Sequence, residues 1–180
     1  MTSRRLSRAV VAMWTFIICS CVAAHAQHLS FDPPVSVPTA IEFQVRIHLA
    51  TAGTTVQGLD LVFTYEPTIV SLDAVEAGDW FTDSGADHYL WIDPVTPAGA
   101  VHVSAALLGF GSAVDGHILT LSFTALAPGV SPLHFLAIDL RNDANAPLLF
   151  TTHSTGDEIV IEEAIGNESS SMGAFKSLWR

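Results

Sequence analysis

Polar and apolar residues alternate without a fault along Glu42-Phe43-Gln44-Val45-Arg46-Ile47-His48-Leu49. A period of two puts Phe43, Val45, Ile47 and Leu49 on one side of an extended chain, which predicts an antiparallel strand with one buried face. The pattern returns in residues 59–65, stopped by Pro67, and in residues 117–125, with Ile118, Leu119, Leu121 and Phe123 apolar. Shorter strands are predicted at residues 29–32, closed by Pro33 and Pro34, and at 69–75, with Val70, Leu72 and Ala74 on one face. Others are predicted at 88–93, 100–107, 132–138 and 159–161. Gly78 and Gly85 bracket a predicted loop carrying Trp80 and Phe81, and Pro128-Gly129 reads as a turn. No window carries a long helical period. Many short strands between closely spaced turn signals indicate an all-β sandwich or barrel. Its expected inter-sheet core is Phe43, Val45, Ile47, Leu61, Phe63, Tyr65, Leu72, Leu121 and Phe123.

Composition narrows the class. With 49% hydrophobic and 14% charged residues over 180 positions, the chain is one folded domain and not a disordered one. Arg4, Arg5 and Arg8 precede a short apolar run holding Trp14, Phe16 and Ile17, and Ala24-His25-Ala26 follows. That is the layout of a signal peptide over residues 1–26, cleaved before Gln27, and the run is short of the ~20 residues a membrane span needs. The expected localisation is therefore secreted, with no membrane span in the mature form. Ile18-Cys19-Ser20-Cys21 is an imperfect lipobox, and lipidation at Cys21 is the alternative. Both cysteines fall in this segment, so the mature domain has no disulfide and no thiolate. From Gln27 onward four basic residues face 18 acidic ones. Such a surface excludes a nucleic-acid partner, which needs clustered Lys and Arg. Residues 162–180 read as a flexible tail, acidic and Ser-rich at first, then ending in Phe175, Lys176, Leu178, Trp179 and Arg180.

A resemblance covers almost all of residues 29–161. Gly58-Leu59-Asp60-Leu61-Val62-Phe63-Thr64-Tyr65-Glu66-Pro67 resembles the strand that marks cohesin domains: glycine, alternating apolar residues, Tyr, an acid, Pro. Ile69-Val70-Ser71-Leu72, leading through Val75 to Gly78-Asp79, is similar to the strand that follows there. Asp115-Gly116-His117 through Phe123-Thr124-Ala125 resembles a glycine-led strand ending in Phe-x-Ala, and Pro128-Gly129 its next turn. Leu140-Arg141-Asn142 to Pro147, then Gly156 before Ile159-Val160-Ile161, is similar to the closing segment. The resemblance implies a nine-stranded jelly-roll β-sandwich that does no chemistry, with an immunoglobulin-like sandwich as the alternative architecture. It also implies a partner: a dockerin-type module, a small calcium-loaded helical pair on another extracellular protein, in a setting of polysaccharide degradation. No cofactor is expected on this chain, since calcium belongs to the partner. Family members of cellulosomes occur as repeated domains on a scaffold; here there is one domain, so a stand-alone cohesin-like protein is the expectation.

Other chemistries weigh less. The histidines after the first segment, His28, His48, His88, His102, His117, His134 and His153, lack the i, i+2 or i, i+4 spacing of a metal pair and read as surface residues. Asn142-Asp143-Ala144-Asn145 lacks the glycine and distal acid of an EF-hand loop and reads as a turn. Asp79, Asp83, Asp87 and Asp93 lie near Trp80, Tyr89 and Trp91 in sequence. That combination suits carboxylate catalysis on sugars or, better, a carbohydrate-binding sandwich with polysaccharide stacked on exposed rings. With no Gly-x-Ser-x-Gly elbow and no phosphate loop, an enzyme is not expected.

The candidate contacts follow from side-chain parity. If Leu61, Phe63 and Tyr65 point inward, Asp60, Val62 and Thr64 point out. In cohesins the outward acid just after the strand's opening glycine contacts the dockerin helix, and Asp60 matches that position. If Leu90 and Ile92 face the core, Tyr89 and Trp91 face out. Asp60 and Trp91 are therefore the leading partner contacts, with Val62, Thr64 and Tyr89 behind them.

Overall fold

The computed structural model describes residues 27–93, 98–152 and 157–164. The signal-peptide segment and most of the expected tail lie outside the described residues. The strands, in chain order, are β1 (Gln27–Asp32), β2 (Val37–Pro38), β3 (Glu42–Ala50), β4 (Gly58–Thr64), β5 (Val70–Ala77), β6 (Asp87–Asp93), β7 (Ala100–Leu108), β8 (Gly116–Ala125), β9 (Gly129–Pro132), β10 (His134–Arg141), β11 (Phe150–Thr152) and β12 (Glu158–Glu162). Among the described residues nine of these twelve run five residues or longer; β2, β9 and β11 are short additions.

They form a five-stranded sheet, order β11-β1-β3-β8-β5, a four-stranded sheet, order β10-β4-β7-β6, and a small third sheet, β2-β12-β9. The two larger sheets pack face to face through the alternating apolar residues. Phe31 of β1 meets Phe63 of β4 edge-on at 5.8 Å and stacks on Phe135 of β10 at 4.2 Å, while Tyr65 meets Phe123 of β8 at 5.4 Å. Val45, Ile47, Leu61, Phe63, Leu121 and Phe123 are fully buried; Phe43, Tyr65 and Leu72 pack against that core at its margin. Burial of Leu, Ile and Phe at ~1.5–3 kcal/mol per side chain is the main source of stability here, because no cysteine follows Cys21.

Four local readings are corrected. The segment with Trp80 and Phe81 is not a loop but a short helix, α1 (Asp79–Asp83), and both rings are buried. It closes one end of the sandwich: the Trp80 indole N–H donates to the Val114 carbonyl at 2.8 Å, and a Cβ at Gly78 would overlap the His117 carbonyl. In β5 the register shifts between Leu72 and Ala74, so parity inverts; Ala74 is exposed and Val75 packs on the core. Residues 132–138 are not one strand. Leu133, fully buried, separates β9 from β10, and the two belong to different sheets. In β8 a shift opposite Ile47 and His48 lets both Ile118 and Leu119 turn inward.

Candidate partner-binding face

Strand β4 lies inside the four-stranded sheet, between β10 and β7. Its apolar members Leu59, Leu61 and Phe63 are buried, so Asp60, Val62 and Thr64 lie on the outer face, as parity predicts. Register aligns the outer residues into ranks across four strands. Asp139 of β10 is opposite Asp60, Asp60 opposite Ser104 of β7, and Ser104 opposite Trp91 of β6. The next rank toward the strand's end holds Ala137, Val62, His102 and Asp93. The rank on the other side holds Arg141, Gly58, Ala106 and Tyr89.

Within this array Asp60 is held, not free. Ser104 Oγ donates to Asp60 Oδ2 at 2.6 Å, and His102 Nε2 lies 2.9 Å from Asp60 Oδ1. An ionised carboxylate only accepts, so the Nε2 nitrogen of His102 carries the proton in that contact. The other ring nitrogen, Nδ1, stands 4.0 Å from Asp93 Oδ2. The Trp91 ring meets the His102 imidazole edge-on at 5.7 Å. One histidine therefore links the acid of β4 to the aromatic of β6. Asp139 is engaged separately by the Arg141 guanidinium, at 2.6 and 2.9 Å. Charge-assisted bonds of this kind orient a carboxylate more firmly than neutral ones.

Trp91 is 41% exposed and Tyr89 54%, while Leu90 and Ile92 pack on the core. The register expected for residues 88–93 therefore holds. Leu108 of β7 and Leu136, at the register shift in β10, are also exposed. Gly58 and Ala106, opposite each other, carry so little side chain that an open depression of about 510 Å³ forms above them, rimmed by Asp60, Leu108, Asp139, Arg141 and Asp143. Aromatic anchors, a few apolar contacts and a polar surround make up a protein-binding surface.

Sequence reasoning brought Asp60 and Trp91 together but missed what connects them. His102 reads as a surface residue and Ser104 carries no mark of its own; they are the donors that hold Asp60. The available signal was the alternation in residues 100–107, which sets His102, Ser104 and Ala106 on one side. His117 is likewise engaged, its Nδ1 2.7 Å from Asp79 Oδ1, and it ties α1 to β8. Trp80, counted among rings for sugar, lies in the core. In the 142–145 segment Asn142 Oδ1 accepts the Ala144 and Ala146 N–H groups, an Asx-type turn that occupies that oxygen locally. Among the described residues no three His, Cys, Asp or Glu side chains are placed to hold a metal, and no helix is long and apolar enough to cross a membrane.

No family model matches the sequence, and no curated protein matches it significantly. Solved structures do match in fold, and they are cohesin modules. A non-cellulosomal cohesin from the hyperthermophilic archaeon Archaeoglobus fulgidus aligns with a TM-score of 0.62 at 13% identity, over 86% of this chain and 99% of that one. The cohesin module of a family 33 glycoside hydrolase from Clostridium perfringens aligns with 0.64 at 15%, over 77% and 98%. The sixth cohesin of Acetivibrio cellulolyticus scaffoldin B, solved in complex with a Cel5 dockerin, aligns with 0.62 at 16%, over 76% and 99%. At these identities the likeness is one of fold: the chain is a cohesin-like β-sandwich.

Proposed function

We propose that this chain is a non-catalytic, exported recognition module that captures a dockerin-type partner on the outer face of its four-stranded sheet. The observation that carries the reading is the rank Asp60, Ser104, Trp91. It sets an acceptor oriented by two donors next to an exposed aromatic ring, on a fold whose solved neighbours include cohesins in complex with dockerins. Asp60 and Trp91 are the principal contacts, with Val62, Thr64 and Tyr89 around them. The calcium of such a complex sits on the partner. The reading takes residues 1–26 as a cleaved signal peptide, with the encounter outside the cell and polysaccharide degradation as the setting in which such pairs would serve. With Trp80 buried, the carbohydrate-binding reading rests on Tyr89 and Trp91 alone, and the same two rings serve a protein partner.

The test is capture by the immobilised chain from the exported proteins of its source, with calcium and again with chelator, and identification of what is retained. The expected result is a protein carrying a paired-helix calcium module, held with calcium and lost with chelator. Retention indifferent to chelator, or retention of glycan alone, would overturn the reading.

A further inference from the structure

Between Gln27 and Ala164 the sequence has 17 acidic residues and two basic ones, Arg46 and Arg141. Arg46 lies on the opposite sheet, in β3, and Arg141 is bonded to Asp139 and to the Asn145 carbonyl. Thus the depression above Gly58 and Ala106 presents Asp143 and Asp60, the latter already accepting from Ser104 and His102, while Arg141, the one Lys or Arg among its rim residues, is taken by Asp139. The remaining two cations after Gln27, Lys176 and Arg180, occur together with Phe175, Leu178 and Trp179 in the segment that follows Ala164. Charge and shape are complementary: a basic, aromatic stretch and an acidic hollow floored by a glycine and an alanine.

Reach permits the meeting. The Ala164 N–H bonds Thr39 Oγ1, and Ile159 of β12, the strand just before it, pairs with Ser131, whose hydroxyl accepts the Glu66 N–H. The segment therefore departs from the end of the sandwich where β4 finishes. Trp179 lies fifteen residues further on, up to about 50 Å of extended chain, whereas a seven-residue strand such as β4 spans about 23 Å. A short tether also supplies an effective concentration in the millimolar range, enough for a weak contact to be populated.

We propose that this segment docks in cis on the chain's own recognition face, with Trp179 in the Gly58–Ala106 depression and Lys176 and Arg180 against Asp143 and Asp60. The free protein then carries a built-in competitor for its partner. The proposal uses the face of the preceding section, but its test involves no partner, so failure of one leaves the other to be judged separately. The chain from Gln27 onward has no cysteine, so Ala174→Cys accepts a single nitroxide label whose paramagnetic broadening is read by NMR. The expected result is loss of amide intensity at Gly58, Ala106 and Leu108 and none at Gln44 or Ser122, independent of protein concentration. Intensity should return in K176E/R180E, in Ala106→Arg, and on going from about 0.01 M to about 1 M salt, where screening shortens from roughly 30 Å to 3 Å. K176E/R180E changes none of the described residues, so its result stands whatever Ala106→Arg does to folding. Even intensities, broadening on the five-stranded sheet, broadening that survives K176E/R180E, or broadening that grows with concentration each overturn the proposal.

Discussion

The two outer faces of the sandwich follow the same alternation and differ in what the outward positions hold. On the five-stranded sheet β3 presents Glu42, Gln44, Arg46 and His48, and β8 presents Thr120, Ser122 and Thr124. Thr124 Oγ1 donates to Asp73 Oδ2 at 2.6 Å, and Ser71 donates to the other oxygen at 3.2 Å. None of the large exposed apolar residues falls in β3, β5 or β8; Tyr89, Trp91, Leu108 and Leu136 fall in β6, β7 and β10. A soluble sheet needs only polar outward residues, and the five-stranded face stops there. Aromatic area left in water on the other face goes beyond what folding asks, and it is this area that the proposed capture uses.

The largest expected effect lies inside, where the faces do not differ. Phe63→Ala and Phe123→Ala, one per sheet and both fully buried, should each lower unfolding free energy by ~3–5 kcal/mol in denaturant melts. A loss below ~1 kcal/mol at either would break the two-sheet core. The faces should separate at the next step. Trp91→Ala should weaken partner binding by about 30-fold, ~2 kcal/mol, with the melt nearly unchanged, while Gln44→Ala should change neither. If Trp91→Ala unfolds the domain, the ring belongs to the core.

Smaller effects sharpen the account of Asp60. His102→Ala frees one carboxylate oxygen and should weaken binding by about tenfold, as expected at the low end for one bond to a charged group, ~1.5 kcal/mol, measured by calorimetry. His102→Gln, which restores a donor, should recover part of it; no recovery would mean that the imidazole acts through Trp91 alone. The smallest effect lies off both faces. Thr68 donates its hydroxyl at 2.6 Å and its backbone N–H at 3.1 Å to Glu66 Oε1, which holds the Glu66 carboxyl below the usual carboxylate range. A lowered folded value contributes stability above the ordinary range and loses it as pH falls through the lowered one. Thr68→Ala should move the Glu66 titration up toward the ordinary range by NMR, with little change in the melt.

These contrasts also mark what was legible in the sequence. Strands β3, β4 and β8 and their buried faces followed from a period of two, because a half-buried strand leaves no other arrangement for Val45, Leu61 or Phe63. The exposure of Tyr89 and Trp91 followed from the same rule. Three things did not. A helix of five residues, α1, is too short to show a helical period. An extra residue in a strand inverts parity without any compositional mark, and this hid the shift at Leu72 and Ala74 and the double inward turn at Ile118 and Leu119. The bonds from His102 and Ser104 to Asp60 span 42 and 44 residues of chain and arise only when β4 and β7 pair.

The central claim is that partner capture belongs to the four-stranded face. It is tested most directly by calcium-dependent capture run in parallel on the unsubstituted chain, on Asp60→Ala/Trp91→Ala and on Gln44→Ala/Ser122→Ala, each first shown to melt as the parent does. The account predicts that the captured partner disappears with the first pair of substitutions and persists with the second. A partner retained by Asp60→Ala/Trp91→Ala, or lost with Gln44→Ala/Ser122→Ala, would contradict it.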